Sequence, residues 1–253
     1  MSLRIGIAGI TGRVGKLLVE EVAAAGAVLA GGTRGSGGGE APLFPNVAAL
    51  AVASDVVIDF TRAAAVQQHA AVLAEALTPW VLGTSGLSAA DEMAVSEAAR
   101  RVAIVYAANF APGVTVVEAL AERLAAALPP ESYDAEIVEM HHRQKVDAPS
   151  GTAIALGRAV ARGRGVALEQ VMRSGRDGHS GPRPTGEIGF AALRGGQVVG
   201  EHSLLFAGAD EHIALIHRAF DRRAFATGAV RAAAWIATRP PGLYSMRDVL
   251  GLH

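Results

Sequence analysis

The first fifteen residues constrain the fold more than any later stretch. Leu3–Ala8 has the pattern of a short apolar strand. Gly9-Ile10-Thr11-Gly12-Arg13-Val14-Gly15 follows at once and opens the helical run Gly15–Ala25. Glycines where a strand meets a helix let the main chain approach a ligand, and the unpaired N–H groups of the helix start then face an anion such as a pyrophosphate. The spacing is GxxGxxG rather than GxGxxG, so its weight comes from its place in a βαβ unit. A structural tight turn is the competing reading. A P-loop is excluded, because Leu17 follows Lys16 where Ser or Thr is required.

The alternation continues through Ala27–Gly31 (strand), the glycine-rich Gly31–Gly39, Asp55–Phe60 (strand), Ala63–Leu77 (helix), Trp80–Gly83 (strand), Ser88–Arg101 (helix) and Val102–Ala107 (strand). Strands alternating with helices predict an α/β fold, a doubly wound Rossmann-type parallel sheet. After Phe110 the pattern changes. Gly113–Leu128 and Gly151–Arg162 read as helices and Tyr133–His141 as a strand. Several further strand-like runs in the region from Arg173 to Ile216 are joined by links as short as Arg194-Gly195-Gly196. Such links are too short for crossovers and predict a second α+β domain on a largely antiparallel sheet. The helix Phe225–Ala237 is expected to pack back on the first domain. The domains are then 1–112, completed by 222–253, and 113–221.

Composition narrows the function. The 253 residues are 51% apolar and 19% charged with a formal net charge of −1, an ordinary globular balance with no basic field for nucleic acid. The absence of cysteine removes disulfides and thiolate metal sites, and a reducing cytoplasm is the expected compartment. The N-terminus enters a strand directly, which leaves no room for a signal peptide, and no apolar run reaches the roughly 18 residues of a membrane span. Lys16 and Lys145 are the sole lysines among 23 basic residues.

At the end of the second strand an NAD site carries an acidic residue for the ribose. Here Gly32-Thr33-Arg34 stands instead, with no carboxylate before Glu40. An Arg beside a hydroxyl suits a 2′-phosphate, so NADPH is expected over NADH; a solvated Arg34 on a glycine loop is the bland alternative. Gly83, Thr84 and Ser85, then Ala107, Ala108, Asn109 and Phe110, follow later parallel strands, where a nicotinamide and its ribose are expected.

The segment Glu139–Thr152, EMHHRQKVDAPSGT, holds the chemistry of a nicotinamide-dependent reductase. Hydride addition leaves a negative charge that needs a proton, and His or Lys can supply it. Along an extended strand His141, Arg143 and Lys145 share a face, while His142 joins them if the strand ends or kinks. Lys145 survives among arginines where a titratable ammonium is useful. Pro149 and Ser150 lead into a helix whose start, Gly151-Thr152, is a natural carboxylate site. A small anionic substrate fits such a cationic pocket. A metal site is disfavoured, because adjacent histidines on a strand diverge and no Cys or well-spaced carboxylate completes a set.

These motifs, together with DFT at Asp59–Thr61, GTSG, ANF and GEIGFAALRGGQVVGEH, resemble 4-hydroxy-tetrahydrodipicolinate reductases, the dihydrodipicolinate reductases of diaminopimelate and lysine biosynthesis, over essentially the whole chain. The resemblance implies His141 as acid/base and Lys145 as proton donor, with His142, Gly151 and Thr152 holding the substrate. It places the cofactor on Gly9 to Val14, Arg34, Gly83 to Ser85 and Ala107 to Phe110. It also implies a homotetramer built through the second domain. Two positions depart from the family pattern: Thr33 stands where many members have an acidic residue, and Arg62-Ala63 follows DFT where Pro is usual.

Two rival functions remain: a reductase of another small amino or keto acid on the same fold, and a regulator that senses NADPH without turnover. The stretch with Arg173, Arg176, His179 and Arg183 is either a lid over the substrate or a solvated loop. His69, His202, His212, His217 and His253 show no arrangement that favours function.

Overall fold

The computed structural model describes residues 2–33 and 42–252, which form two compact units. One contains the chain up to Pro112 together with the chain from Arg222 onward; the other is Gly113–Asp221.

The first unit is built on β1 (Arg4–Ala8), β2 (Val28–Thr33), β3 (Val56–Asp59), β4 (Trp80–Leu82) and β5 (Ala103–Tyr106), with helices α1 (Arg13–Ala24), α2 (Val47–Ala53), α3 (Ala63–Glu75) and α4 (Ala89–Ala98) between them. All neighbours are parallel. The helices cover both faces, so alternate residues of one strand enter different cores. Val56 and Ile58 pack with Leu18 and Val22 of α1, while Val57 packs with Leu73 of α3 and Val95 of α4. Strands buried on both sides read as continuous apolar runs, which is why this half of the chain is easily parsed. Helix α4 starts on a capping box between Ser88 and Asp91. The seven-residue α2, capped by Asn46, is too short to show a period and escapes the sequence reading.

The second unit holds α5 (Pro112–Ala127), β6 (Asp134–His141), α6 (Gly151–Gly163), α7 (Leu168–Val171), β7 (Met172–Ser174), β8 (Ile188–Arg194), β9 (Gly200–Ala207) and β10 (His212–Ala219). Its sheet order is β10-β9-β6-β8-β7. The sheet is mixed: β9 runs antiparallel to β6 and β10, whereas β8 runs parallel to β6 and β7. The short link after Arg194 therefore does not make a hairpin. It carries the chain across the end of β6, so that β8 and β9 lie on either side of that strand. Ala135, Ile137, Ile188, Phe190, Leu204 and Phe206 form the inner face under α6.

The chain then returns to the first unit as α8 (Arg223–Ile236), β11 (Gly242–Tyr244) and α9 (Met246–Leu250). Helix α8 packs on α1 and on the sheet, and β11 extends the sheet beside β5 to give the order β11-β5-β4-β3-β1-β2. The three residues of β11 carry no alternation that a sequence could reveal.

Gly228 in the middle of α8 tests this packing. Helix propensity alone makes Gly228→Ala stabilising by about 1 kcal/mol. In the structure a Cβ there would overlap the main-chain oxygen of Phe110. The substitution is expected to destabilise by about 1–3 kcal/mol, read as a lower melting temperature. An unchanged or raised melting temperature would contradict the packing described.

Candidate active site

In the first unit the loops after β1, β3, β4 and β5 all leave the carboxyl edge of one parallel sheet, and β1 lies at the switch between strands that wind in opposite directions. Ligands of open α/β sheets bind at that edge. Gly9 has φ +82°, and its N–H and that of Ile10 donate to the Thr33 carbonyl at 3.1 and 3.0 Å. Gly12 is the N-cap of α1, with no side-chain cap and no acidic residue in the first turn. An uncapped, acid-free helix start fits a pyrophosphate. Gly15 serves packing: a Cβ would meet the carbonyl oxygen of Ile10 at 2.7 Å.

Thr84 is buried with its Oγ1 unpartnered. Such a hydroxyl, in the loop expected to meet a nicotinamide, can bond a carboxamide. Asn109 Oδ1 accepts from Ala111 N at 2.8 Å and shapes its loop. Ile10 and Phe110 are 4% and 1% exposed, Phe110 packing on Phe60, so their side chains belong to the core and any cofactor contact is through main chain. Arg34 lies outside the described residues, as does most of the glycine-rich tract.

DFT acquires a role from geometry. Asp59 is wholly buried at the end of β3, where Oδ1 accepts from Thr61 N and Oγ1 at 2.9 and 2.6 Å and Oδ2 lies 2.7 Å from His69 Nδ1. Thr61 in turn presses on Gly9, its Cγ2 lying 3.1 Å from where a Cβ would be. Helix α3 starts at Ala63 without the proline expected there.

In the second unit β6 ends at His141. The link between β8 and β9 caps it: Gly195 N donates to His141 O at 2.9 Å, and His142 N donates to Val198 O at 2.7 Å. A turn follows, with Lys145 N donating to His142 O at 3.1 Å. The expectation that His141, Arg143 and Lys145 share a strand face therefore fails, because there is no strand beyond His141. Lys145 still acts on His141 electrostatically, and its Nζ sits 2.7 and 2.8 Å from the Asp147 carboxylate oxygens. The break is what frees His142, whose Nδ1 is buried and unpartnered.

Glu139, 1% exposed, accepts from Arg194 at both oxygens (2.8 Å each) and from Ser150 N at 3.1 Å, and its Oε2 is 2.7 Å from His141 Nδ1. Ser150 Oγ caps α6 through Ala153 N at 3.3 Å and lies 3.0 Å from His202 Nε2. A Cβ on Gly151 would meet nothing within 4 Å, which leaves the helix start open for a carboxylate.

Glu139, Arg194 and His202 lie in motifs that the sequence singles out, but no role could be given to them there. His202 had a usable signal: it occupies the same strand parity as Leu204 and Phe206, and β9 pairs it with Glu139. Its ring meets that of His141 edge-on at 5.1 Å. Burial, aided by the charge of His141, pushes the His202 imidazole down to about 4. Burial also lowers His141, against an opposing pull from Glu139. Of the two rings, His202 stays neutral.

The loop of Arg176 and Arg183 does not reach this chemistry. Arg183 binds Asp134 and Glu136 at 2.6 and 2.8 Å, and Arg176 binds Glu136 and Glu187 at 3.1 and 2.9 Å. Asp134 and Glu136 begin β6, about 16–23 Å along the strand from His141. The lid reading gives way to an anchored loop. Among the described residues no three His, Cys, Asp or Glu are arranged to hold a metal ion, and no helix is long and apolar enough to cross a membrane.

The unfolded His202 side chain takes up a proton near 6.5 and the folded one not until about 4. Between these values the unfolded chain binds more protons, so stability falls as pH falls, by roughly 3 kcal/mol at most. Amides of β9 are expected to lose hydrogen-exchange protection across that window, and to lose less of it in His202→Gln. Equal losses in both proteins would remove His202 as the cause.

Two family patterns divide the chain: dihydrodipicolinate reductase, N-terminus, matches residues 3–110, and dihydrodipicolinate reductase, C-terminus, matches 113–250. A 4-hydroxy-tetrahydrodipicolinate reductase from Granulibacter bethesdensis is 67% identical over 100% of this chain and 98% of that protein. One from Acidiphilium cryptum is 64% identical over 99% and 98%. A dihydrodipicolinate reductase from Paenisporosarcina sp. TG-14, solved with dipicolinate bound, superposes with a TM-score of 0.79 at 26% identity, covering 98% of this chain and 99% of that one. With two matching halves and relatives this similar, the chain belongs to the dihydrodipicolinate reductase family, oxidoreductases of the diaminopimelate route to lysine.

Proposed function

We propose that the chain reduces 4-hydroxy-tetrahydrodipicolinate to tetrahydrodipicolinate, with loss of water, and that His141 and Lys145 handle the proton. The observation that carries this is the end of β6, which sets His141, His142 and the open start of α6 on one short segment. When bound, the nicotinamide supplies a hydride. His142 and the N–H groups of Gly151 and Thr152 hold the substrate's carboxylates, matching partial positive charge to anion. The 4-hydroxyl would leave with an adjacent ring hydrogen as water. The conjugated double bond so formed would take the hydride at one end while the electron pair displaced to the other takes a proton; His141 serves as acid/base and Lys145 as donor. The Asp147 carboxylate holds the Lys145 ammonium close, at 2.7 Å.

Dipicolinate, bound by the Paenisporosarcina enzyme, is a planar dicarboxylate of the kind this pocket suits. Gly9, Ile10, Thr11, Gly12, Arg13 and Val14 would carry the pyrophosphate, with Gly83 to Ser85 and Ala107 to Phe110 toward the nicotinamide. Thr33 lacks the carboxylate that a free ribose diol prefers, which favours NADPH through Arg34. The outer face of the second sheet exposes Val138, Leu193 and Ile216 at 40%, 51% and 51%, which supports a homotetramer formed through it. A cytoplasmic location fits a cysteine-free biosynthetic enzyme.

Nucleotide oxidation with freshly prepared substrate tests the reading. Wild type is expected to turn over, and His141→Gln combined with Lys145→Ala to lose at least about 100-fold in kcat. Undiminished turnover by that double variant would sink the assignment. Arg34→Ala is expected to cut kcat/KM for NADPH by about tenfold or more and to leave NADH unchanged. An NADH preference untouched by the substitution would reverse the cofactor assignment.

A further inference from the structure

Glu139 is buried and bonded to Arg194, Ser150 and His141, and the mechanism above does not use it. We infer that Glu139, kept ionised by Arg194, is a positioning residue that locks His141 in its Nδ1–H form and leaves Nε2 as the nitrogen that exchanges the proton. This rests on the reading of His141 as the acid/base group.

An ionised carboxylate only accepts hydrogen bonds. Arg194 and the Ser150 N–H are obligate donors, and their three bonds together with the guanidinium charge favour the ionised form. Burial raises the Glu139 carboxyl, yet the bonds from Arg194 and His141 outweigh it and hold the group below the usual carboxylate range. His141 Nδ1, 2.7 Å from Oε2, must then carry its hydrogen whether the ring is neutral or charged.

Proton exchange is left to Nε2. That atom stands 3.0 Å from where a Cβ on Gly200 would be, so the strand beside it is kept bare. The groups facing the ring are Glu139 on its own strand, Arg194 on β8, His202 on β9 and Lys145 on the following loop. Glu139 favours the charged ring, while Arg194 and Lys145 oppose it and the buried His202 adds no charge. The same carboxylate fixes Ser150 at the start of α6, and Arg194 reaches the Asp147 carbonyl at 2.7 Å. One anchor thus orients both the imidazole and the helix that receives the substrate.

The test is nitrogen-15 NMR of histidine-labelled wild type, with His141 assigned by the peaks that vanish in His141→Gln. A neutral Nδ1–H tautomer is expected; an Nε2–H tautomer overturns the lock. Glu139→Gln gives a second readout. Its amide NH₂ turns away from the Ser150 N–H and toward His141, which makes Nδ1 an acceptor and moves the ring's hydrogen to Nε2. A fall in kcat of about 10²- to 10⁴-fold is expected, with KM within a few-fold. Because Glu139 favours the charged ring, any residual activity should lose its alkaline limb at lower pH than wild type. Arg194→Lys, which keeps the charge but not the fork, is expected to be intermediate. Wild-type kcat and pH profile in Glu139→Gln overturn the proposal, and if that variant does not fold the wild-type spectrum decides alone. Turnover surviving in His141→Gln would instead defeat the acid/base reading, while the tautomer spectrum still judges the lock.

Discussion

A carboxylate removed from water must be matched by donors or take up a proton, and in the second unit this requirement falls on Glu139. Its partners come from β6 itself, from the end of β8 and from the first residue before α6. Removing one partner of a buried charge pair costs about 3–5 kcal/mol, a large share of the 5–15 kcal/mol that holds a typical domain together. Satisfying Glu139 therefore adds to the main-chain bonds that hold the strand end, the β8–β9 link and the helix start in register.

The first unit solves a similar problem with different parts. Asp59 also ends a strand, is also buried, and also meets a histidine Nδ1 at 2.7 Å and a backbone N–H. Its remaining partner is the Thr61 hydroxyl rather than an arginine. Thr61 also fills the space a Cβ on Gly9 would need, so the carboxylate that fixes Thr61 bears on the glycine loop beside it. In both units a residue at the carboxyl end of a strand sets the geometry of a neighbouring helix start, where the anion-binding N–H groups lie.

The paired rings of His141 and His202 show how burial assigns roles to identical side chains. At 5.1 Å two imidazolium ions repel, and the ring with less access to water and no carboxylate partner stays neutral. His202 can then serve Ser150, and through it the cap of α6, without competing for the proton that His141 handles.

Much of this was legible in the chain itself. The glycine loop, the alternation through Val102–Ala107 and the motif Glu139–Thr152 are local patterns whose periods reflect burial on fixed faces, and the central motif resembles its family closely enough to name the chemistry. What failed was whatever depended on which segments meet. A short link after Arg194 implies a hairpin by length alone, but the tertiary structure sends it across the end of β6 and makes the sheet mixed. That crossing also ends the strand at His141, so alternation could not place Lys145. Glu139, Arg194 and His202 stand far apart in sequence, and each by itself is an ordinary residue. Only the pairing of β6 with both β8 and β9 brings them together, because the cost of an unmatched buried charge is a property of the folded neighbourhood and not of any residue in the chain.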